Sequence, residues 1–152
     1  MVNVGDSRCI TLTQNGQVVI TKDHKPNDYE ELSRINNSGG FVIKSRVNGT
    51  LSMSRSLGDF KEGIKLRMGD YMGLLSPVSP LPDIYSLSTP PVKAVLATDG
   101  LWDIIGSDEV VELFIWAVKN KKCIDNVIYN IVRKVINDVN SKDNITVITV
   151  NI

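Results

Sequence analysis

The chain has 152 residues, 42% hydrophobic and 22% charged, enough apolar side chain for the core of one ordinary globular domain. Its 17 basic and 17 acidic residues balance, so neither nucleic acid nor an anionic membrane surface is expected as a partner. One histidine, His24, and two distant cysteines, Cys9 and Cys123, exclude Cys/His zinc cages and multi-bridge disulfide scaffolds.

Val2, Val4 and the Gly5-Asp6 turn read as the middle of a strand-and-turn unit, so the chain is expected to be a piece of something longer. Arg8 to Thr13 alternates, and Gln17 to Thr21 is rich in β-branched residues. Asn15-Gly16 between them is a strong hairpin signal, because both positions of a two-residue turn need positive φ. Asp23-His24-Lys25-Pro26 reads as a loop. Asn27 is a candidate helix N-cap with Glu30 completing a box-like pattern. That helix runs to about Asn37, with Glu30 and Glu31 supporting Arg34, and Gly39-Gly40 ends it. Phe41 to Ile43 and Arg46 to Met53 read as short strands. Residues 59 to 82 are Gly- and Pro-rich and irregular. Ile84 to Ser88 reads as a strand, and the apolar run Val92 to Ala97 as a strand buried on both faces. A helix over about 108–119 presents Val110, Val111, Phe114 and Val118. A second over about 123–137 presents Ile124, Val127, Ile128, Ile131, Val132 and Val135. Ile145 to Ile152 closes the chain as a strand. The pattern is α+β, with antiparallel pairing in the first hairpin at least.

No run of about 18 apolar residues occurs. The first ten residues carry no basic start followed by an apolar core. An intracellular location, cytoplasmic or nuclear, is therefore expected. Three matches to the glycosylation acceptor pattern, at Asn36, Asn48 and Asn144, are read as chance.

Asp99 follows directly on the apolar strand, and Asp143 directly precedes the last one. If these strands are antiparallel neighbours, both carboxylates emerge at one sheet edge. If they are parallel neighbours, the carboxylates sit at opposite edges. Spacing alone leaves both arrangements open. Asp6, between Gly5 and Ser7, is a third candidate. Converging carboxylates repel without a cation, and an all-oxygen set favours Mg²⁺ or Mn²⁺ over zinc. The plainer reading is that these aspartates form turns.

Several strings, in order, then carry a resemblance. They are Val4-Gly5-Asp6-Ser7-Arg8, Asp23-His24-Lys25-Pro26, Arg34-Ile35 with Gly39-Gly40, and Arg46-Val47-Asn48-Gly49. They continue with Leu51 through Asp59, Ala97-Thr98-Asp99-Gly100-Leu101-Trp102-Asp103, and Asp143 through Val147. Together they resemble the metal-dependent serine/threonine protein phosphatases of the 2C type. The resemblance covers about the C-terminal half of that family's catalytic domain. The family's acidic pair, Asp-Gly-His-Gly-Gly motif, phosphate-binding arginine and catalytic histidine have no counterpart in this sequence, so no catalytic residue is assigned.

The resemblance implies part of an α-β-β-α sandwich, stacked antiparallel sheets flanked by helices, occupying 1–152. It implies hydrolysis of phosphoserine and phosphothreonine in protein substrates by a metal-activated water. By the same likeness Asp99 and Asp143 are ligands of a binuclear Mg²⁺ or Mn²⁺ centre, and Asp6 helps hold a third, weaker ion with Asp99. The irregular segment about 59–82 looks like the family's flap. This chain alone is expected to be inactive and to bind metal weakly or not at all. Exposed sheet faces or edges are expected to promote self-association. The competing reading is a non-catalytic phosphatase-like binding or scaffold module. His24, Arg46 and Arg55 are read as structural, and Trp102, Phe114 and Trp116 as packing residues. Cys9 and Cys123 are read as buried or inert thiols. Ser54 has no histidine partner for a Ser/His/Asp hydrolase.

Overall fold

The computed structural model describes residues 1–59, 76–138 and 143–152. In chain order the elements are β1 (Val2–Asn3), β2 (Arg8–Thr13), β3 (Val18–Ile20), α1 (Tyr29–Asn37), β4 (Val42–Ile43), β5 (Arg46–Val47) and β6 (Asp83–Ile84). They continue with β7 (Pro91–Ala97), α2 (Asp99–Trp102), α3 (Ser107–Lys119), α4 (Ile124–Asp138) and β8 (Val147–Asn151). The class is α+β, and among the described residues the pairs formed by these strands are antiparallel. The chain divides into two compact units, one of Met1–Asp6 with Lys22–Tyr85 and one of Ser7–Thr21 with Ser86–Ile152.

The second unit is a four-stranded sheet in the order β3-β2-β7-β8 with helices on one face. Ile10 and Leu12 of β2 and Val95 and Ala97 of β7 point to that face. They pack with Leu101 and Trp102 of α2, Val110, Phe114 and Ala117 of α3, and Ile124, Ile128, Ile131 and Val135 of α4. The predicted stripe of α4 is the one that packs. On α3 the 3.6-residue period turns Ala117 inward in place of Val118, which is exposed, and leaves Trp116 half-exposed. Against the burial on both faces that its apolar run suggests, β7 is buried on its second face only in part, Ala94 being buried there with its cross-strand neighbour Thr11. Leu96 is 38% exposed, and Ile148, its partner on β8, is 55% exposed.

The hairpin β2–β3 forms as expected, but its turn differs. Thr13 and Gln17 close it, Gly16 N–H donates to Thr13 O at 3.0 Å, and Gly16 takes φ +82°. This is a three-residue loop needing left-handed φ at the glycine only. The Asn15 side-chain oxygen accepts from Thr13 Oγ1 at 2.6 Å and from Gln17 N–H at 3.2 Å, so asparagine serves as acceptor.

In the first unit, α1 starts one residue later than predicted. Asp28 is the N-cap, and Asn27 instead donates to Ser45 Oγ at 2.6 Å. Gly39 and Gly40 close the helix by donating to Asn36 O and Ile35 O, a Schellman arrangement with Gly39 at φ +81°. Ile35, Val47 and Val78 form this unit's small core. β4–β5 and β1–β6 are two-residue ribbons, shorter than the predicted strands. Of the segment 59–82, residues 60–75 lie outside the described residues. Ser76 and Pro77 offer their carbonyls to Arg34 at 2.9 and 3.1 Å.

Candidate metal centre

The two strands that lead to Asp99 and Asp143 are antiparallel neighbours. β7 and β8 pair in the register Ala97↔Val147, Val95↔Thr149, Lys93↔Asn151. The pairing runs past the strands: Thr98 N–H donates to Thr146 O at 3.1 Å. The Thr98 hydroxyl donates to Asn144 O and accepts from Thr146 N–H, each at 3.2 Å. Asp99, next along, opens α2, and Asp143 precedes Asn144. The parallel alternative is thereby removed, and both aspartates stand at one rim of the second unit's sheet.

Gly100 makes this closeness possible. A Cβ on it would lie 2.3 Å from the carbonyl oxygen of Asn144. Only a hydrogen fits there, so the residue after Asp99 packs on the backbone of the residue after Asp143. α2 is tied back by Trp102, whose indole N–H donates to Ala97 O at 2.7 Å. The Arg8 guanidinium lies over the same indole, 5.3 Å from its centroid. Asp143 Oδ1 accepts the Asn144 N–H at 2.7 Å, which orients that carboxylate. Trp102 thus packs and braces as the sequence suggests. α2 itself is a single helical turn, too short for the sequence to show a period.

Asp6 belongs to the first unit and is 6% exposed. Its Oδ2 sits 2.7 Å from Lys25 Nζ. Gly5, at φ +109°, donates its N–H to His24 Nδ1 at 3.0 Å and accepts from His24 N–H at 3.0 Å. His24 is buried at 2% exposure, with Nε2 3.3 Å from Asp83 Oδ2. The histidine therefore holds the Gly5-Asp6 turn, a structural role as expected. In the sequence Lys25 stands only within the Asp23-His24-Lys25-Pro26 string, with no role of its own. A lysine next to the histidine carries no pattern of its own, and only the fold reveals its partner.

Arg55 is also structural. Its Nη2 is 2.6 Å from Glu31 Oε1, and its Nη1 is 2.9 Å from Asp83 Oδ1. Burial alone would push the Glu31 carboxyl up. The hydrogen bonds from Arg55, with help from Arg34, outweigh it and bring Glu31 from 4.5 down to about 2. Arg46 donates to Thr50 O at 2.7 Å on the surface. Neither cysteine is buried: Cys9 is half-buried and Cys123 exposed, the latter because it stands just outside α4.

Among the described residues no three His, Cys, Asp or Glu side chains converge as a metal site. Two carboxylates at one rim nevertheless suit a hard cation. Mg²⁺ commonly binds through one or two carboxylates and keeps several waters.

Comparison with known proteins agrees with the α+β fold. The model of the family "Protein phosphatase 2C" matches residues 1–145. Protein phosphatase 1B of Mus musculus is 37% identical over 159 residues, covering 98% of this chain and 38% of that protein. A probable protein phosphatase of Drosophila melanogaster, CG10417, is 41% identical over 133 residues, covering 84% of this chain and 19% of its own length. A phosphatase from a pathogenic strain of Toxoplasma gondii superposes with TM-score 0.76 at 30% identity, covering 97% of this chain and 46% of that one. A C. elegans sex determining protein superposes with TM-score 0.66 at 25% identity, covering 97% and 35%. The chain belongs to the protein phosphatase 2C family. It spans well under half the length of the curated relatives it matches: 38% of the mouse protein and 19% of the fly protein. Among the described residues no helix is long and apolar enough to cross a membrane.

Proposed function

We propose that residues 1–152 are the C-terminal part of the catalytic domain of a metal-dependent protein serine/threonine phosphatase. In this reading Asp99 and Asp143 hold a divalent cation, Mg²⁺ or Mn²⁺, and Asp6 contributes to a weaker cation site. The substrates are phosphoserine and phosphothreonine in proteins. The observation that carries the reading is the β7–β8 register, which sets two carboxylates at one rim with Gly100 packed on Asn144. When bound, a metal pair supplies an acidified water and neutralises charge on the phosphoryl oxygens. The chain's own part is positional. Thr98 clips the two backbone segments together, Trp102 stops α2 from rotating, and Asn144 N–H orients Asp143.

Two carboxylates and a share of 38% of the mouse relative's length support the further reading that this chain alone is inactive and binds metal weakly. The apolar Leu96–Ile148 face supports self-association of the isolated chain. An intracellular location, cytoplasmic or nuclear, belongs to the same proposal. In the full-length parent assayed with Mn²⁺ on a phosphothreonine peptide, Asp99→Asn is expected to cost about 100-fold or more in rate. Unchanged activity overturns the assignment. Micromolar Mn²⁺ affinity in the isolated chain overturns the weak-binding reading, and a monodisperse monomer in light scattering overturns self-association.

A further inference from the structure

We propose that Lys25 is a tethered counter-cation for Asp6, which a divalent ion must displace before Asp6 can take metal. The inference deepens the reading of Asp6 as part of a weak cation site and rests on it.

The Asp6 side chain is 8% exposed, so its carboxylate has little water around it. A buried carboxylate without a partner is costly, and it needs a positive charge or strong donors nearby. Lys25 supplies that charge, with Nζ 2.7 Å from Oδ2. The two groups are not equally fixed. Asp6 follows Gly5, whose N–H and C=O are both bonded to His24. The Lys25 side chain is 35% exposed, and its ammonium is a compact, hydrated point charge on a flexible four-carbon stem. The carboxylate is therefore the stationary partner, and the ammonium is the one that can leave.

The backbone of Lys25 is nonetheless anchored. It lies between buried His24 and buried Pro26. An ammonium rooted this close competes intramolecularly, at a high effective concentration, with any ion from solution. Two consequences follow. Without metal, Lys25 keeps Asp6 compensated and the Gly5-Asp6 turn intact. With metal, occupancy of Asp6 begins only at the concentration where the ion outcompetes its resident partner. Lys25 then sets the threshold, while Asp6 sets the position.

The test uses the 152-residue chain, with Lys25→Met to remove the charge and keep the stem, Asp6→Asn, and the double variant. Mn²⁺ binding is read from the electron paramagnetic resonance signal of free Mn²⁺, and stability from the melting temperature in chelator and in millimolar Mg²⁺. Lys25→Met is expected to bind Mn²⁺ about tenfold or more tightly than the natural chain, the order of one charge-assisted hydrogen bond. It should also melt lower in chelator and regain stability with Mg²⁺. Both effects should vanish when Asp6→Asn is added. Mn²⁺ binding by Lys25→Met no tighter than by the natural chain overturns the inference, as does a gain that survives Asp6→Asn. Should Lys25→Met fail to fold in chelator, Lys25→Gln is the second variant. Folding of either on adding Mg²⁺ supports the inference, and failure of both overturns it. Asp99→Asn in the full-length phosphatase tests the underlying reading separately. Its failure there with an Asp6-dependent gain here would refute the rim assignment and leave the counter-cation standing.

Discussion

Replacing Gly100 by alanine should drive apart the two backbone segments that carry Asp99 and Asp143. The added Cβ would sit 2.3 Å from Asn144 O and 3.0 Å from Asn144 C, where 3.0 Å is the closest approach such atoms tolerate. The obstacle is backbone, so no side-chain rotation relieves it. Alanine gains about 1 kcal/mol over glycine in a helix interior, and less in the single turn of α2. Overpacking costs about 1–3 kcal/mol, and a clash with backbone belongs at the upper end. The net expectation is a loss of about 2 kcal/mol. With a urea slope of about 2 kcal/mol per molar for a chain of this size, the unfolding midpoint should fall by about 1 M. Circular dichroism across a urea series measures it. In the full-length phosphatase the same change should weaken Mn²⁺ activation, because the carboxylates are no longer held in register. A midpoint equal to or above that of the natural chain would refute the close-contact argument and the positional role given to Gly100.

Three further outcomes follow from the buried groups. The Glu31 carboxyl is held near 2 when folded against 4.5 unfolded, so its contribution is full above about pH 4.5 and is lost as pH falls toward 2. That contribution is of order 3 kcal/mol, and Glu31→Gln should flatten the acid limb of a urea-midpoint-versus-pH curve. Arg55→Met removes the guanidinium shared by Glu31 and Asp83 but leaves Arg34 on Glu31, and should cost about 2–3 kcal/mol in urea denaturation, as for the loss of hydrogen bonds to charged groups. Phe114→Ala empties a fully buried position between sheet and helices and should cost about 3–5 kcal/mol. Melting of the second unit followed by near-ultraviolet Trp102 signals would report it.

Periodicity made the hairpin, α3, α4 and the inward stripe of α4 legible, because each buries a face with its own repeat. It could not show that the second face of β7 is covered at Ala94 and open at Leu96. A strand's apolar run reads the same whether its second face meets another layer or lies open. The position of α1 was legible to one residue. Asn27 and Asp28 are equally good caps on paper, and Ser45, eighteen positions on, engages Asn27. For the rim, spacing left parallel and antiparallel pairing open. The Ala97↔Val147 register decides it through backbone hydrogen bonds that no side-chain pattern encodes. Glu31 was legible as a partner of Arg34 on the helix surface, yet it is 3% exposed. Its burial depends on Arg55, which approaches from a distant part of the chain.

The alignment of β2 against β7 also bears on how the polypeptide is made. Ile10 lies opposite Val95, so the sheet's central pair cannot close until the whole stretch between them has left the ribosome. Joining ends separated by about 85 residues carries an entropic penalty of about 4 kcal/mol. During that interval the β2–β3 hairpin must wait with an unsatisfied edge. That open edge is where nascent chains on the same message are exposed to pairing with one another.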